Sequence, residues 1–477
     1  MEKFRPRRED LHEGRERYVE GEAGDDYRRD ALYRARRFLR GGVVGDWSNL
    51  RVAALYGTDH ARLTKRRCSV NGVSVLDESN LDHLATSAVT GDRSAHQTFR
   101  PDIQGLRAIA VILVILAHAS VPGFEGGYIG VDVFFVISGF VITSLLRRQP
   151  PRHVRGNLAY FYARRIRRIV PAATLTLVST IVAAYFLLGT NFVPQLLGDV
   201  RWASLFSANF RLINTGSNYF IPGVAPSLVT HFWSLAVEEQ FYLFFPLVVF
   251  SLTWLTPIRN RATSLGLFLV AAIAASAWYS WYLTPIKPTV AYYSPFTRFW
   301  EIALGALVAL LPGAWARRTP RVNAALSVAA LVGLGIAVWR LNVTSVYPGV
   351  LAWWPCGTTA ILLWTGQASA PGGAASWLSF RPLRYIGDIS YSLYLWHYVW
   401  LMLPLQMVHP PTSPWARVIE VAGAFACAAL SYHVLENPIR HSKRLDRDGV
   451  AVALMLLVCV GLSWDATLWI GHLAHVT

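Results

Sequence analysis

The chain has few cysteines for its length, only four among 477 residues. They are scattered at Cys68, Cys356, Cys427 and Cys459, and three of them fall in apolar segments. This pattern offers neither a disulfide framework nor the spacing of a metal site. We therefore predict a fold that does not depend on disulfide bonds and a function that uses no metal.

Charged residues are also scarce. They make up 16% of the chain, whereas hydrophobic residues make up 53% and the mean hydropathy is +0.33. A soluble domain of this size would need more polar surface, so the composition indicates a membrane protein. The first 40 residues lack the apolar run of a signal peptide. The first hydrophobic segment is therefore expected to be an uncleaved anchor.

Acidic residues are outnumbered, with 29 Asp and Glu against 45 Lys and Arg. Residues 1–98 hold 18 of the basic and 16 of the acidic side chains, so this region is nearly neutral. The basic surplus lies in the short loops of the hydrophobic part, where it is a signal of membrane topology. We expect no nucleic acid partner.

The chain divides into three regions. Residues 1–98 form a polar cytosolic extension, which we predict to be flexible apart from a weak helical pattern around residues 30–40. Residues 99–447 form a transmembrane core, and residues 448–477 add a further C-terminal span.

Eleven apolar segments are long enough to cross a hydrocarbon core of about 30 Å. Their approximate limits are 103–121, 130–146, 169–189, 233–255, 263–283, 296–313, 323–340, 350–366, 388–408, 416–434 and 449–470. With the amino terminus inside, the inner loops hold 19 Lys and Arg and the outer loops hold six. The sequence thus predicts an all-α, polytopic transmembrane helical bundle of about 10–11 spans with its amino terminus inside. The long outer segment 190–232 is expected to contain a short interfacial helix over Trp202–Leu212.

Ionisable groups inside spans are costly and indicate function. Arg107 and His118 lie in the first span, eleven residues apart. At about 100° and 1.5 Å per residue they share one helix face, about 16 Å apart along the axis. His118 is either a packing histidine or a general base for a hydroxyl, a role suited to a neutral imidazole.

Asp132 enters at the outer end of the second span, among glycines that allow close helix packing. It is either a carboxylate that favours the start of the helix, or a functional group that orients His118 or contacts an acceptor hydroxyl. Gly127, Gly130 and Gly139 are the glycines concerned.

The following inner loop contains Arg164, Arg165, Arg167 and Arg168. Arg165 and Arg168 are three residues apart and share a helical face. The group either anchors the inner membrane face or binds phosphate, because guanidinium groups suit phosphoryl oxygens.

The fourth span begins with His231, Trp233, Glu238, Glu239 and Tyr242 in its outer half. Adjacent residues on a helix point about 100° apart, so at most one of the two carboxylates is expected to face a cavity. Glu238 and Tyr242 share a face through their i,i+4 spacing.

Three further polar groups lie in later spans. His397 is near the middle of the ninth span, where we favour packing or gating over catalysis. Arg298 and Glu301 in the sixth span are predicted to form an ion pair, and Glu436 is expected to cap the end of the tenth span.

Six segments, in this order, resemble the membrane acyltransferase-3 family. They are FRPDIQGLRAIAVILVILAH, GGYIGVDVFFVISGFVIT, YFYARRIRRIVPA, HFWSLAVEEQFYL, ISYSLYLWH and ENPIR, between Phe99 and Arg440. Members of this family O-acylate bacterial surface glycans, lipids and some antibiotics. The resemblance implies that Arg107 and His118 fill the family's Arg-x10-His pair. It also implies that Arg165 and Arg168 fill the Arg-x-x-Arg motif credited with acyl-CoA recognition.

The resemblance also implies a reaction. We expect an O-acyltransferase of the bacterial inner membrane that moves an acyl group, acetyl by default, from cytosolic acyl-CoA to a hydroxyl of a glycan or glycolipid at the outer face. The catalytic candidates are His118, Asp132 and Glu238, with an acyl-histidine as a variant. The donor-binding candidates are Arg107, Arg164, Arg165, Arg167 and Arg168. The acceptor or supporting candidates are His231, Trp233, Glu239, Tyr242 and His397.

The expected partners are acyl-CoA, the acceptor and membrane lipid. Many relatives with an eleventh span continue into a soluble SGNH-type esterase domain, so an outer partner of that type acting in trans is an alternative to transfer by the core alone. The runner-up function is an exporter of a lipid or glycan intermediate, which also needs buried charges. A third possibility is a membrane scaffold that uses residues 1–98.

Overall fold

The computed structural model describes residues 100–147, 154–190, 193–216, 226–257, 260–368, 372–411, 413–442, 445 and 449–473. The polar extension over residues 1–98 and its weak helical pattern lie outside the described residues. Those two predictions and the proposed domain boundaries stay predictions.

The described residues form helices and no strand. In chain order the helices are α1 Pro101–His118, α2 Gly130–Leu146, α3 Val154–Leu188, α4 Val193–Ser204, α5 Ala208–Asn214, α6 Phe232–Leu255, α7 Arg261–Leu283, α8 Pro288–Tyr293, α9 Pro295–Val308, α10 Gly313–Arg318, α11 Pro320–Arg340, α12 Trp353–Thr365, α13 Ala374–Leu378, α14 Arg381–Asp388, α15 Ser390–Met402, α16 Pro414–Ser431, α17 Asn437–Arg440 and α18 Gly449–Leu473. A π-helical turn, Tyr432–Glu436, joins α16 to α17.

Eight helical stretches are long and apolar enough to cross a membrane, with mean hydropathies from 1.5 to 2.2. They comprise α1, α2, α3, α6, α7, α11, α16 with its extension, and α18. Since helices satisfy their own backbone polar groups, this is the architecture that apolar segments adopt in lipid. The predicted all-α polytopic membrane bundle is confirmed.

Three of the predicted spans contain helices shorter than expected. Helices α9, α12 and α15 have 14, 13 and 13 residues, or about 20 Å at 1.5 Å per residue. Relative to the predicted spans, α9 ends at Val308 instead of 313, and α15 ends at Met402, shortly before Pro404, instead of 408. Proline has no amide hydrogen, so it disfavours continuation of a helix. An apolar run therefore overestimates the helix length where the helix ends before the run does.

Glycines bring α1, α2 and α9 into backbone contact. A Cβ at Gly139 would overlap the carbonyl of Ile302, and a Cβ at Gly305 would overlap the carbonyl of Val136. Gly130 meets the backbone of α1 in the same way. The expected close approach at the second-span glycines is confirmed, and it fixes the positions of the polar side chains on these helices.

Helix α3 is the longest, with 35 residues, and contains Pro171. At 1.5 Å per residue it extends about 52 Å, well beyond a hydrocarbon core. The arginine cluster lies in its amino-terminal half, before Pro171.

The long outer segment contains two helices in place of the single helix predicted over Trp202–Leu212. Helix α4 ends at Ser204 and α5 begins at Ala208. Between them Phe206 adopts a positive φ of 51°, a conformation that ends a helix in non-glycine residues. Its carbonyl accepts a hydrogen bond of 3.0 Å from Gln240 on α6.

Candidate active site

A cavity of about 100 Å³ lies between α1, α2, α3, α6 and α15. Its charged lining consists of three arginines and two glutamates: Arg107, Arg165, Arg168, Glu238 and Glu239. Tyr242, Tyr391, Tyr394 and serine hydroxyls complete its polar surface. A cavity with this many convergent charged groups inside a membrane bundle is the leading candidate for a functional site.

The three arginines come from two helices. Arg107 lies on α1, where its Nη1 donates to Gln104 Oε1 at 3.1 Å. Arg165 and Arg168 lie one helical turn apart on α3 and face the same cavity. The guanidinium carbon of Arg165 is 3.5 Å from the ring centroid of Tyr242, so a cation–π contact holds this arginine against α6.

The other two arginines of the cluster point elsewhere. Arg164 is exposed and packs on Tyr160, with its Nη1 3.1 Å from the Tyr160 hydroxyl. Arg167 is buried, and its Nη1 donates to the carbonyl of Ser442 at 3.3 Å. The helical period of 3.6 residues separates the four side chains onto different faces. The structure brings Arg165 and Arg168 together with Arg107, and it places Arg164 and Arg167 outside the cavity lining.

Both carboxylates of α6 line the cavity, so the expectation that at most one would face it is wrong. Glu238 accepts hydrogen bonds from Ser138 on α2 and from the Tyr242 hydroxyl, and its predicted pairing with Tyr242 is confirmed. Glu239 interacts with Arg165 on α3. Because the cavity extends around both sides of α6, two side chains that diverge by about 100° still reach it.

Three histidines form a second cluster beside the cavity. The Nδ1 atom of His118 is 3.3 Å from Nε2 of His397, and the His231 and His397 ring centroids are 5.8 Å apart. His231 stacks on Tyr398 at 4.7 Å. His231 and His397 are 1% and 0% exposed. Sequence positions that are far apart thus converge on one histidine cluster, made of His118, His231 and His397.

A thin polar wall separates the cavity from the histidine cluster. Ser234 and Tyr394 line the cavity, and their hydroxyl oxygens are 2.6 Å apart. The Tyr394 ring centroid lies 5.4 Å from that of His397. Among the described residues, the cavity lining includes Tyr394 and not His118. Tyr394 therefore lies between the cavity and the histidine cluster.

Asp132 lies in a different cluster from His118, contrary to the role considered for it as the group that orients this histidine. Its Oδ1 accepts from Arg298 Nη2 at 2.9 Å, and Arg298 Nη1 is 3.0 Å from Glu301 Oε1. All three side chains are at most 1% exposed. The predicted Arg298–Glu301 ion pair is confirmed, and Asp132 joins it because α2 and α9 are in backbone contact.

Trp233 belongs to this ionic cluster. Its ring centroid is 5.6 Å from the guanidinium carbon of Arg298. Ligand atoms of Asp132, Glu301 and Cys356 lie within 4.8 Å of one another, a spacing that could hold a metal ion. The Arg298 guanidinium already supplies positive charge to both carboxylates there.

Sequence reasoning missed part of the polar lining. Ser138 was not singled out, although a serine within an apolar span is a detectable signal. Glu436 was expected to cap a helix, but it is 1% exposed and accepts a hydrogen bond from Ser392 at 2.8 Å. The π-helical turn redirects Glu436 toward α15, and such turns are frequent at functional sites.

The profile of an acyltransferase domain matches residues 100–433 of the chain. The chain is 33% identical over 356 residues to the peptidoglycan O-acetyltransferase OatA of Listeria monocytogenes, a match that covers 71% of this chain and 56% of that protein. It is 32% identical to the putative peptidoglycan O-acetyltransferase YrhL of Bacillus subtilis, over 73% of this chain and 56% of that protein. It is 30% identical to the O-acetyltransferase OatA of Staphylococcus aureus, over 72% and 57% respectively.

The chain therefore spans little more than half the length of these relatives. No solved structure matches it. The domain match covers well over half of the chain and contains the cavity and the histidine cluster. On this basis the chain belongs to the acyltransferase-3 family of membrane proteins.

Proposed function

We propose that this protein is a membrane O-acyltransferase that moves an acetyl group from cytosolic acetyl-CoA to a glycan hydroxyl at the outer face of the bacterial inner membrane. The observation that carries the proposal is the arrangement of Arg107, Arg165 and Arg168 around one cavity, with the histidine cluster behind Tyr394. Two relatives are a peptidoglycan O-acetyltransferase and a putative one, which favours peptidoglycan as the acceptor class.

Donor binding is assigned to the cavity arginines. Coenzyme A carries several phosphates, and guanidinium groups bind phosphoryl oxygens through paired, charge-assisted hydrogen bonds. Arg165 and Arg168 lie in the amino-terminal half of α3, the end that the predicted topology places at the inner face, where a soluble donor first meets the protein. Arg107 lines the same cavity, and a thioester anchored at α3 would extend past it toward Tyr394.

Proton transfer is assigned to His118. Its imidazole accepts the proton of the acceptor hydroxyl as the oxygen attacks the thioester carbonyl. A carbon–oxygen bond forms, the carbon–sulfur bond breaks, and the imidazolium returns the proton to the departing thiolate. The products are the O-acetylated glycan and free coenzyme A. Transient acetylation of His118 itself is a variant with the same overall balance.

The Ser234–Tyr394 wall sets one requirement for this reaction. In the conformation described, the donor cavity ends at these hydroxyls, so Tyr394 must turn aside before a thioester meets His118. A wall made of one aromatic side chain suits such a step, because rotation about its side-chain bonds leaves the helix backbones in place.

Binding and transfer are tested separately with purified protein in liposomes. Radiolabelled acetyl-CoA is the donor, and a soluble peptidoglycan fragment is the acceptor. We expect Arg165→Ala to raise the dissociation constant for acetyl-CoA at least tenfold, and His118→Ala to keep donor binding while transfer falls by about 100-fold or more. Arg321→Ala and His472→Ala are the matched controls, since both side chains are exposed and outside the cavity.

Two results would overturn the proposal. Failure of the wild-type protein to bind acetyl-CoA would favour the exporter alternative, because an exporter needs no acyl donor. Wild-type transfer by a folded His118→Ala protein that binds the donor would remove His118 from the reaction. Transfer that appears only after an SGNH-type protein is added would assign the second half-reaction to a partner in trans.

A further inference from the structure

The hydrogen bonds of His118 determine which of its ring nitrogens carries the proton. Nδ1 of His118 is 2.9 Å from the carbonyl oxygen of Val114. A carbonyl oxygen only accepts hydrogen bonds, so Nδ1 must be the donor. In the neutral ring the lone pair is then on Nε2, the nitrogen that would act as a base.

The same reasoning applies to His397. Its Nδ1 is 3.2 Å from the carbonyl oxygen of Leu393 and must donate to it. Nε2 of His397 is therefore the acceptor nitrogen, and it lies 3.3 Å from Nδ1 of His118. The Nδ1 proton of His118 is shared between Val114 and His397, and both imidazoles are Nδ1–H tautomers.

We propose that His397 is the positioning residue for His118 and that it occupies the place first considered for Asp132. The proposal rests on the proposed function, because it assigns a role only if His118 accepts a proton in the reaction. His397 holds the His118 ring in the tautomer whose lone pair is on Nε2, and it stabilises the imidazolium that forms when His118 is protonated. A third side chain that fixes the tautomer and orientation of a catalytic histidine is a recurrent device.

A neutral partner suits this location in the membrane. His397 is 0% exposed, and an ionised carboxylate there would bear a large desolvation cost. Within the described part of the chain, the titratable groups that act electrostatically on His397 are His118 and His231. An imidazole acceptor keeps the pair uncharged until the hydroxyl proton is transferred.

Two amide substitutions separate positioning from packing. In His397→Gln the side-chain amide reaches the position of the lost Nε2, so an oxygen still accepts from His118. In His397→Asn the amide is one methylene shorter and reaches only the position of Nδ1. Both variants are uncharged and polar, so they differ chiefly in whether His118 retains its acceptor.

We expect His397→Gln to keep the rate constant of transfer within about tenfold of wild type, and His397→Asn to lower it about 100-fold or more. Neither variant should change the dissociation constant for acetyl-CoA, which also shows that the proteins are folded. Equal rate constants for His397→Asn and wild type, or an equal loss in both variants, would overturn the proposal.

A second measurement needs no variant of His397. Nitrogen NMR of the histidine-labelled wild-type protein, with the His118 signals assigned by their loss in His118→Gln, reports the tautomer directly. We expect the proton of neutral His118 on Nδ1. A proton on Nε2 would refute the inference whatever the activity. An Nδ1 proton in a protein that transfers no acetyl group would refute the proposed function, and with it the role assigned to His397, while the tautomer assignment would stand.

Discussion

Replacement of Arg298 by methionine is expected to destabilise the protein by about 3–5 kcal/mol, because it leaves buried carboxylates without a cation. Arg298 lies 2.9 Å from Asp132 and 3.0 Å from Glu301, and the three side chains are almost completely buried. With one cation for two carboxyl groups, at most one carboxylate is fully compensated in the wild-type protein.

The magnitude follows from the loss of the cation that contacts two buried carboxyl groups. Breaking a buried ion pair by removing one partner costs about 3–5 kcal/mol, because the remaining charge is left uncompensated. Without Arg298, Asp132 and Glu301 have ligand oxygens within 4.8 Å of each other, so repulsion between the two groups adds to this cost.

The assay is reversible unfolding of the purified protein in mixed detergent, with Arg340→Met as the control. Arg340 is an exposed arginine that stacks on Trp339, so its loss should change the free energy of unfolding by less than about 0.5 kcal/mol. Adding Asp132→Asn and Glu301→Gln to Arg298→Met should recover most of the lost stability, because the uncompensated charges are then gone.

If Arg298→Met were as stable as wild type at pH 7, or if the triple variant were no more stable than the single one, charge compensation would not be the role of Arg298.

Other predictions test packing and the cavity. Gly305→Val should prevent folding, because the new side chain would overlap the Val136 carbonyl. Gly335→Ala should leave folding unchanged, because no neighbouring atom lies within 4 Å of the added Cβ. Yield and gel filtration after detergent extraction distinguish the two variants. Arg167→Ala should lower thermal stability and leave the affinity for acetyl-CoA unchanged, because Arg167 binds the Ser442 carbonyl and does not line the cavity. A tenfold loss of affinity for acetyl-CoA would contradict the placement of Arg167 outside the donor site. Tyr242→Phe should weaken acetyl-CoA binding several-fold by releasing Glu238, and isothermal titration would detect it.

The sequence was sufficient to predict the membrane class and most helix positions, because apolar runs of about 20 residues have few alternative structures. Helix lengths were harder to predict. Helices α9 and α15 end at Val308 and Met402, inside the predicted spans 296–313 and 388–408 that hydropathy alone treats as continuous. The end of a helix within an apolar run hardly changes the mean hydropathy of that run.

For the candidate site, helical spacing placed Arg165 and Arg168 on one face, because residues on one helix have a fixed geometry, and both line the cavity. Partners on different helices could not be predicted in this way. His397 is 279 residues from His118, and Arg298 is 166 residues from Asp132. These pairs depend on which helices pack together, and no single-helix pattern contains that information.

The Ser234–Tyr394 wall has a consequence for the ion permeability of the membrane. A hydrated path that joined the donor cavity to the histidine cluster while the outer side was open would conduct protons and dissipate the electrochemical gradient across the bilayer. In the arrangement described, the paired hydroxyls of Ser234 and Tyr394 lie between the cavity and the histidine cluster. Under the proposed function, this arrangement would let an acetyl group pass from one compartment to the other without a continuous hydrated path across the bilayer.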